Sequence, residues 1–223
     1  VEFLKDPNRG TIYDGPLMVL INGASASASE FVAAVLQDYN RAIIVGGTTY
    51  GKGTAQIVLP MDTAAVLNPN KQYQDFVKVT EEKFYRVNGS TTQWKGVQPD
   101  IALPDMYDSD EYKEKSSASA LQPDVSKTGM YKAAPALPVA ELKSKSAERV
   151  AAKNFFKSVN NYLQLAGQNK NGRTIPLSWV AYLEFYKTAT TMFKSLNGES
   201  VPASEYLPVR NNSFDKELIN ISD

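Results

Sequence analysis

The chain has 223 residues, 43% of them hydrophobic, enough for one large or two small domains with a real core. Its 24 Lys and Arg balance 24 Asp and Glu, so nothing suggests a nucleic-acid partner. It has no histidine and no cysteine, which excludes Ser-His-Asp and cysteine-protease chemistry within this chain. No apolar run approaches the roughly 18 residues of a transmembrane segment, and the lack of cysteine suits a reducing cytoplasm and a cell envelope equally. Val1 opens directly onto VEFLKDPNRG, without initiator methionine or signal peptide, so the chain is expected to be a C-terminal fragment of a longer protein.

Phe3–Leu4, a polar turn at Asp6–Gly10 and a short strand at Thr11–Tyr13 read as a hairpin ahead of Gly15–Pro16. Leu17 to Ile21 has the length and branching of a buried strand. The small residues Asn22 to Ser29 then lead into a helix. Its Phe31, Val32, Val35 and Leu36 recur at helical spacing and are expected to face inward. Asp38, Asn40 and Arg41 close that helix, and Ala42–Val45 is a second buried strand. A strand–helix–strand unit of this kind is parallel and right-handed in nearly all cases.

Ala55–Pro60 reads as a strand ended by proline, and residues 61–72 are turn-rich. Phe76–Thr80 and Lys83–Val87 are two short β-type runs before a turn at Asn88–Gly89, with Tyr85 and Trp94 as packing aromatics. Core structure is expected to end near Pro104. Residues 105–138 combine an acidic start, a Ser/Ala run and several prolines, the composition of a linker or a strap over the surface. The SSASA there is not a second site, because no buried strand precedes it and no glycine-flanked lysine follows.

From 139 the pattern turns helical. Ala152, Phe155, Phe156, Val159, Tyr162, Leu163 and Ala166 mark one face, with Gly167 as the stop. Ser178 caps a second helix carrying Trp179, Leu183, Tyr186, Thr190 and Phe193 and ending at Asn197–Gly198. Its aromatic stripe reads as core. The tail contains Pro202, Pro208 and a short Leu218–Ile221 run of no assignable state.

Two features mark the 17–56 stretch as a site: serines at the helix N-terminus, and Lys52 between Gly51 and Gly53. Ser27-x-x-Glu30 is a capping box, a sufficient structural explanation in itself. A serine there also stands beside free N–H groups and the positive end of the helix dipole, which suit a developing oxyanion; the Ala28 N–H is the natural donor. Without histidine the base must be Lys, Asp, Glu or Tyr, and a lysine serves only when neutral, so its ordinary pKa of roughly 10.4 must fall by desolvation. Gly46-x-x-x-x-Gly51-Lys52 nearly spells a phosphate-binding loop. However, Gly53 stands where magnesium needs Ser or Thr, and a strand follows where a helix must open, so nucleotide binding is rejected.

NGASASASE, LQDYNRAIIVG and TTYGKGTAQ together resemble the core of the C-terminal processing peptidases, the tail-specific proteases. KFYRVNGSTTQWKGVQPDIALP resembles a signature of the tail-specific subgroup, and the likeness covers about residues 15–104. The resemblance implies a Ser-Lys serine endopeptidase on an α/β fold: a partial crotonase/ClpP-like core of β-β-α units followed by a mainly helical C-terminal region. Family spacing, nucleophile 25 residues before lysine, selects Ser27 with Lys52 rather than Ser25 or Ser29, and adds Gln56 as a helper for the base. Gln56 would lie about 13 Å from Lys52 on an extended strand and needs a bend, which Gly53 permits. Asp38 matches an aspartate sometimes grouped with that active site. It lies roughly 16 Å from Ser27 along a continuous helix, and so reads as structural support paired with Arg41 or holding a loop.

The division that follows is 1–104 for the protease-core portion, 105–138 for the linker or strap, and 139–223 for the helical domain. The resemblance further implies protein or peptide substrates with apolar C-terminal tails, a periplasmic or envelope location and a PDZ-containing parent. It implies no metal or organic cofactor. Self-association is possible, and the rival reading is a non-catalytic assembly or docking module.

Overall fold

The computed structural model describes residues 10–62, 75–127, 130–168 and 176–196. The readings of Phe3–Leu4, of most of the 61–72 turn region, of Asn169–Gly172, of Asn197–Gly198 and of Leu218–Ile221 lie outside these residues. The molecule is of mixed helix and sheet and divides into two compact units, Val1–Ile175 and Pro176–Asp223.

In the first unit β1 (Met18–Ile21), β2 (Ile43–Gly46) and β5 (Ile101–Ala102) form a parallel sheet in the order β1-β2-β5. Helix α1 (Ala28–Asp38) crosses from β1 to β2. All four residues of β2 are buried, because the strand is covered on both faces. Ile44 packs with Ile21, Ala33, Ala34, Ala42 and Val97 on the α1 side. Ile43 and Val45 pack with Ile101, Leu137, Val139 and Leu142 on the other, where α2 (Val139–Ala152) lies. Helix α3 (Asn154–Gln168) follows α2 after a break at Lys153, whose extended backbone ends α2, so Ala152 belongs to α2 and not to the face carrying Phe155. Helix α3 passes Gly167 by one residue.

The inward face of α1 is only in part the expected one. Glu30, Ala33 and Ala34 are buried and Leu36 packs against the core as expected, with Val35 half-buried, whereas Phe31 and Val32 are exposed. The rotation has two causes: alanines let the helix sit close to the sheet, and Glu30 is drawn inside by hydrogen bonds described below. Phe31 instead meets the Phe84 ring, 5.9 Å between centroids. The helix ends as the sequence suggested, with Asn40 in the left-handed region at φ 53°.

A separate antiparallel pair joins β3 (Thr54–Pro60) to β4 (Phe76–Lys83), with a register shift at Ala55/Gln56. The expected Phe76–Thr80 run lies within β4, but of the expected Lys83–Val87 run only Lys83 is strand, because the chain leaves the pair and turns at Arg86, whose N–H meets the Ser90 carbonyl. No strand forms at Thr11–Tyr13. Tyr13 folds back, its hydroxyl donating to the Pro16 carbonyl and its ring lying 5.7 Å from the Arg41 guanidinium.

In the second unit, α4 (Trp179–Leu196) carries the aromatic stripe that read as core. Trp179 and Tyr186 are exposed there. Within this unit the rings stack along the helix surface, Tyr182 on Tyr186 at 6.5 Å, and no other described element of the unit covers them.

Candidate active site

The loop leaving β1 is wound by Asn22, whose Oδ1 accepts the N–H groups of Ala24 and Ser25. It delivers Ser27 to the helix start with φ 59° and ψ −119°. A non-glycine residue in that region is strained by about 1–3 kcal/mol and needs its surroundings to hold it. The serines differ in their commitments. The Ser25 hydroxyl is tied to Asn22, and the Ser29 hydroxyl donates to the Ala26 carbonyl. The Ser27 hydroxyl approaches the Glu30 N–H as in a capping box but closes no cap hydrogen bond. Ala28, at the first helical position, is exposed, and its N–H is among those a helix leaves without an internal partner.

Glu30 is the residue that the capping-box reading undervalued. It is fully buried and accepts four hydrogen bonds. Oε2 takes the N–H of Ser27 and the N–H of Lys52, each at 2.8 Å. Oε1 takes the Thr49 hydroxyl at 2.5 Å and the Gly51 N–H at 2.8 Å. Because one oxygen holds both backbones, the nitrogens of Ser27 and Lys52 lie within about 6 Å of each other. The Thr49 hydroxyl oxygen also accepts the Val97 N–H, carrying the network into the core.

The glycines around Lys52 answer to the neighbouring segment 91–96. Gly51 has φ 93°, and a Cβ there would stand 2.9 Å from the Trp94 backbone; one on Gly53 would stand 2.7 Å from the Gln93 nitrogen. Gly53 N–H donates to Gln93 Oε1, and Trp94 N–H to the Gly51 carbonyl. Lys52 itself is half-buried, with Nζ donating to the Thr54 carbonyl at 2.9 Å.

Gln56 is not hydrogen-bonded to Lys52. Its Nε2 reaches the Thr54 hydroxyl at 2.9 Å and Thr80 at 3.3 Å, so lysine and glutamine converge on Thr54, one on its carbonyl and one on its side chain. Asp38 does not pair with Arg41. Arg86 takes both of its oxygens, with side chains 16% and 8% exposed for Arg86 and Asp38, and also reaches Gln37. Arg41 donates instead to the carbonyls of Tyr13 and Gly15. Asp38 thus anchors the far end of α1 to the segment after β4.

Among the other groups, Tyr50 is a poor base, because burial and then the neighbouring Glu114 push its phenol above the ordinary value. Sequence reading missed the strap's part altogether. Asp105 Oδ2 accepts the Gly23 N–H, and Lys113, buried, donates to the carbonyls of Thr48 and Thr49. Burial holds the Lys113 ammonium below the usual lysine range. The only signal for Lys113 was a lysine within a polar, acidic run, which also describes a solvated surface.

Ser27, strained, and Lys52, half-buried, thus stand on adjoining loops clasped by the one Glu30 carboxylate. Residues 2–103 match the model of Peptidase family S41, and over this part the chain is similar to C-terminal processing and tail-specific peptidases. It is similar to a tail-specific protease of Haemophilus influenzae, 34% identical over 172 residues, covering 75% of this chain and 24% of that protein. It is also similar to a carboxy-terminal-processing protease of Bartonella bacilliformis, 40% identical over 96 residues, covering 41% of this chain and 20% of that one. The chain thus spans about a quarter or less of the length of these relatives. Among solved structures, a photosystem II D1 C-terminal processing protease is 35% identical with a TM-score of 0.33, covering 40% of this chain and 20% of that chain.

Proposed function

We propose that the chain carries the nucleophile and base of a serine endopeptidase that degrades or trims proteins from their C-terminal tails. The observation that carries this reading is the single Glu30 oxygen that accepts the N–H groups of both Ser27 and Lys52. In this reading Lys52, in its neutral form, takes the Ser27 hydroxyl proton as Oγ bonds to the scissile carbonyl carbon. The oxyanion is held in part by the Ala28 N–H. Collapse breaks the C–N bond, the Lys52 ammonium protonates the departing amine, and water then hydrolyses the acyl-enzyme with the same lysine as base. Gln56 supports the base through Thr54, and Asp38 supports the scaffold through Arg86.

The finer architecture goes with the proposal: residues 1–104 as part of a crotonase/ClpP-like β-β-α core, 105–138 as its strap, and 139–223 as a helical region. An envelope location belongs to the same reading; among the described residues no helix is long and apolar enough to cross a membrane.

The test is hydrolysis of an unstructured protein with an apolar C-terminus. In the intact enzyme, Ser27→Ala and Lys52→Ala should each abolish cleavage with the thermal midpoint retained, while Ser25→Ala and Ser29→Ala remain active; the 223-residue chain alone is expected to cleave weakly or not at all. Lys52→Arg should be as inactive as Lys52→Ala, since guanidinium stays protonated at any workable pH. Full turnover in Ser27→Ala, or an active arginine variant, would overturn the assignment and favour a docking module or a fixed-charge role.

A further inference from the structure

We propose that Lys113, from the strap, is a positioning residue for the Ser27–Lys52 pair, an inference that rests on the catalytic reading above. The residue is 5% exposed, and among the described residues no salt bridge joins its ammonium to a carboxylate, although Asp108, Asp105, Glu30 and Asp110 favour its charge from nearby. Nζ donates instead to the Thr48 carbonyl at 2.5 Å and to the Thr49 carbonyl at 3.3 Å. An ammonium withdrawn from water and set on two carbonyls is a costly way to fasten a surface strap. It makes sense where the peptides it grips must not move.

Thr49 is that place. Its hydroxyl is held by Glu30 and its carbonyl by Lys113, so the peptide leading to Lys52 is gripped from two sides. The next residue extends the grip. Tyr50 receives the Glu114 N–H on its carbonyl at 3.1 Å, and gives its own N–H to the Ser25 carbonyl at 2.9 Å, two residues before Ser27. Asp105 completes the seat by holding the Gly23 N–H at 2.6 Å while lying where a Cβ on Gly47 would come within 2.3 Å of it. The strap therefore touches the serine loop and the lysine loop together, and Lys113 supplies its charged contact with the latter.

The experiment measures steady-state hydrolysis of a peptide with an apolar C-terminus, in the folded protein and below its thermal midpoint. Lys113→Met keeps the length of the side chain and removes the ammonium. Its kcat should fall roughly tenfold to a hundredfold, the scale of an ångström-sized misplacement, with KM unchanged. Because the chain has no cysteine, Lys113→Cys can be alkylated with 2-bromoethylamine in denaturant and refolded, which restores an ammonium at the same reach.

This aminoethylated protein should recover kcat, and the same variant treated with iodoacetamide should not. A wild-type kcat in Lys113→Met, or folded aminoethyl and carbamidomethyl proteins of equal activity, would overturn the proposal. So would a loss as complete as that of Lys52→Met, which would make Lys113 itself the base. Turnover surviving in Ser27→Ala would fail the catalytic reading instead, independently of Lys113.

Discussion

At the scale of single residues, Glu30 decides how the two loops meet. A Ser-x-x-Glu pattern predicts one bond from Glu30 back to the serine N–H, and that bond is present. The other three come from residues 19 to 22 positions along the chain, on a loop no local pattern connects to it. Glu30→Gln is a sharp probe. Wherever the amide nitrogen is placed it meets a backbone N–H head-on, that of Gly51 on one side or those of Ser27 and Lys52 on the other. Each buried donor left without an acceptor costs about 1–3 kcal/mol. The thermal midpoint should fall by several degrees and turnover should fall with it, in calorimetry and peptide hydrolysis run side by side. A variant with wild-type midpoint and kcat would show that the clasp is dispensable.

At the scale of elements, α1 shows both the reach and the limit of periodicity. Its existence and its ends follow from apolar spacing and from Asn40, but its inward face is turned toward Glu30, Ala33 and Ala34. Apolar spacing marks where a helix can bury side chains; how closely the helix approaches the sheet depends on the residues beneath it. The far end of α1 is held by the bidentate Asp38–Arg86 pair. Removing one partner of such a buried pair leaves an uncompensated charge and costs about 3–5 kcal/mol. Asp38→Ala should therefore lower the thermal midpoint markedly, while Asp38→Ala with Arg86→Met should recover part of the loss. If the single variant melted like the parent, Asp38 would have no supporting role, and its chemistry would need another account.

At the scale of the whole molecule, the 223-residue chain exposes apolar surface beside its first strand. Met18 and Leu20 are 54% and 74% exposed on β1, which is an edge of its sheet, and Phe31 and Val32 are 46% and 55% exposed on α1. An open strand edge beside such side chains favours pairing with another chain. Purified as it stands, the chain should self-associate with concentration in sedimentation velocity, and Leu20→Lys should weaken that association. A monomer at all concentrations would disprove the expectation.

What the amino-acid sequence determined alone was whatever depends on residue type and near neighbours. The strands on either side of α1 follow from their apolar runs, but only β2 is covered on both faces. The expectation of a buried Leu17–Ile21 fails at the sheet edge, where Met18 and Leu20 are exposed because no strand lies beyond β1 among the described residues. The loss of histidine and cysteine chemistry follows from composition, and the peptidase kinship from motifs in register. The tertiary structure decided the rest: the turned face of α1, the partner of Asp38, the meeting of Lys52 and Gln56 at Thr54, and the seat of Lys113. Each of these is set by a hydrogen-bond partner or a packing distance supplied from elsewhere in the chain. A buried carboxylate or ammonium has the same letter as a solvated one, and only the fold determines which atoms surround it.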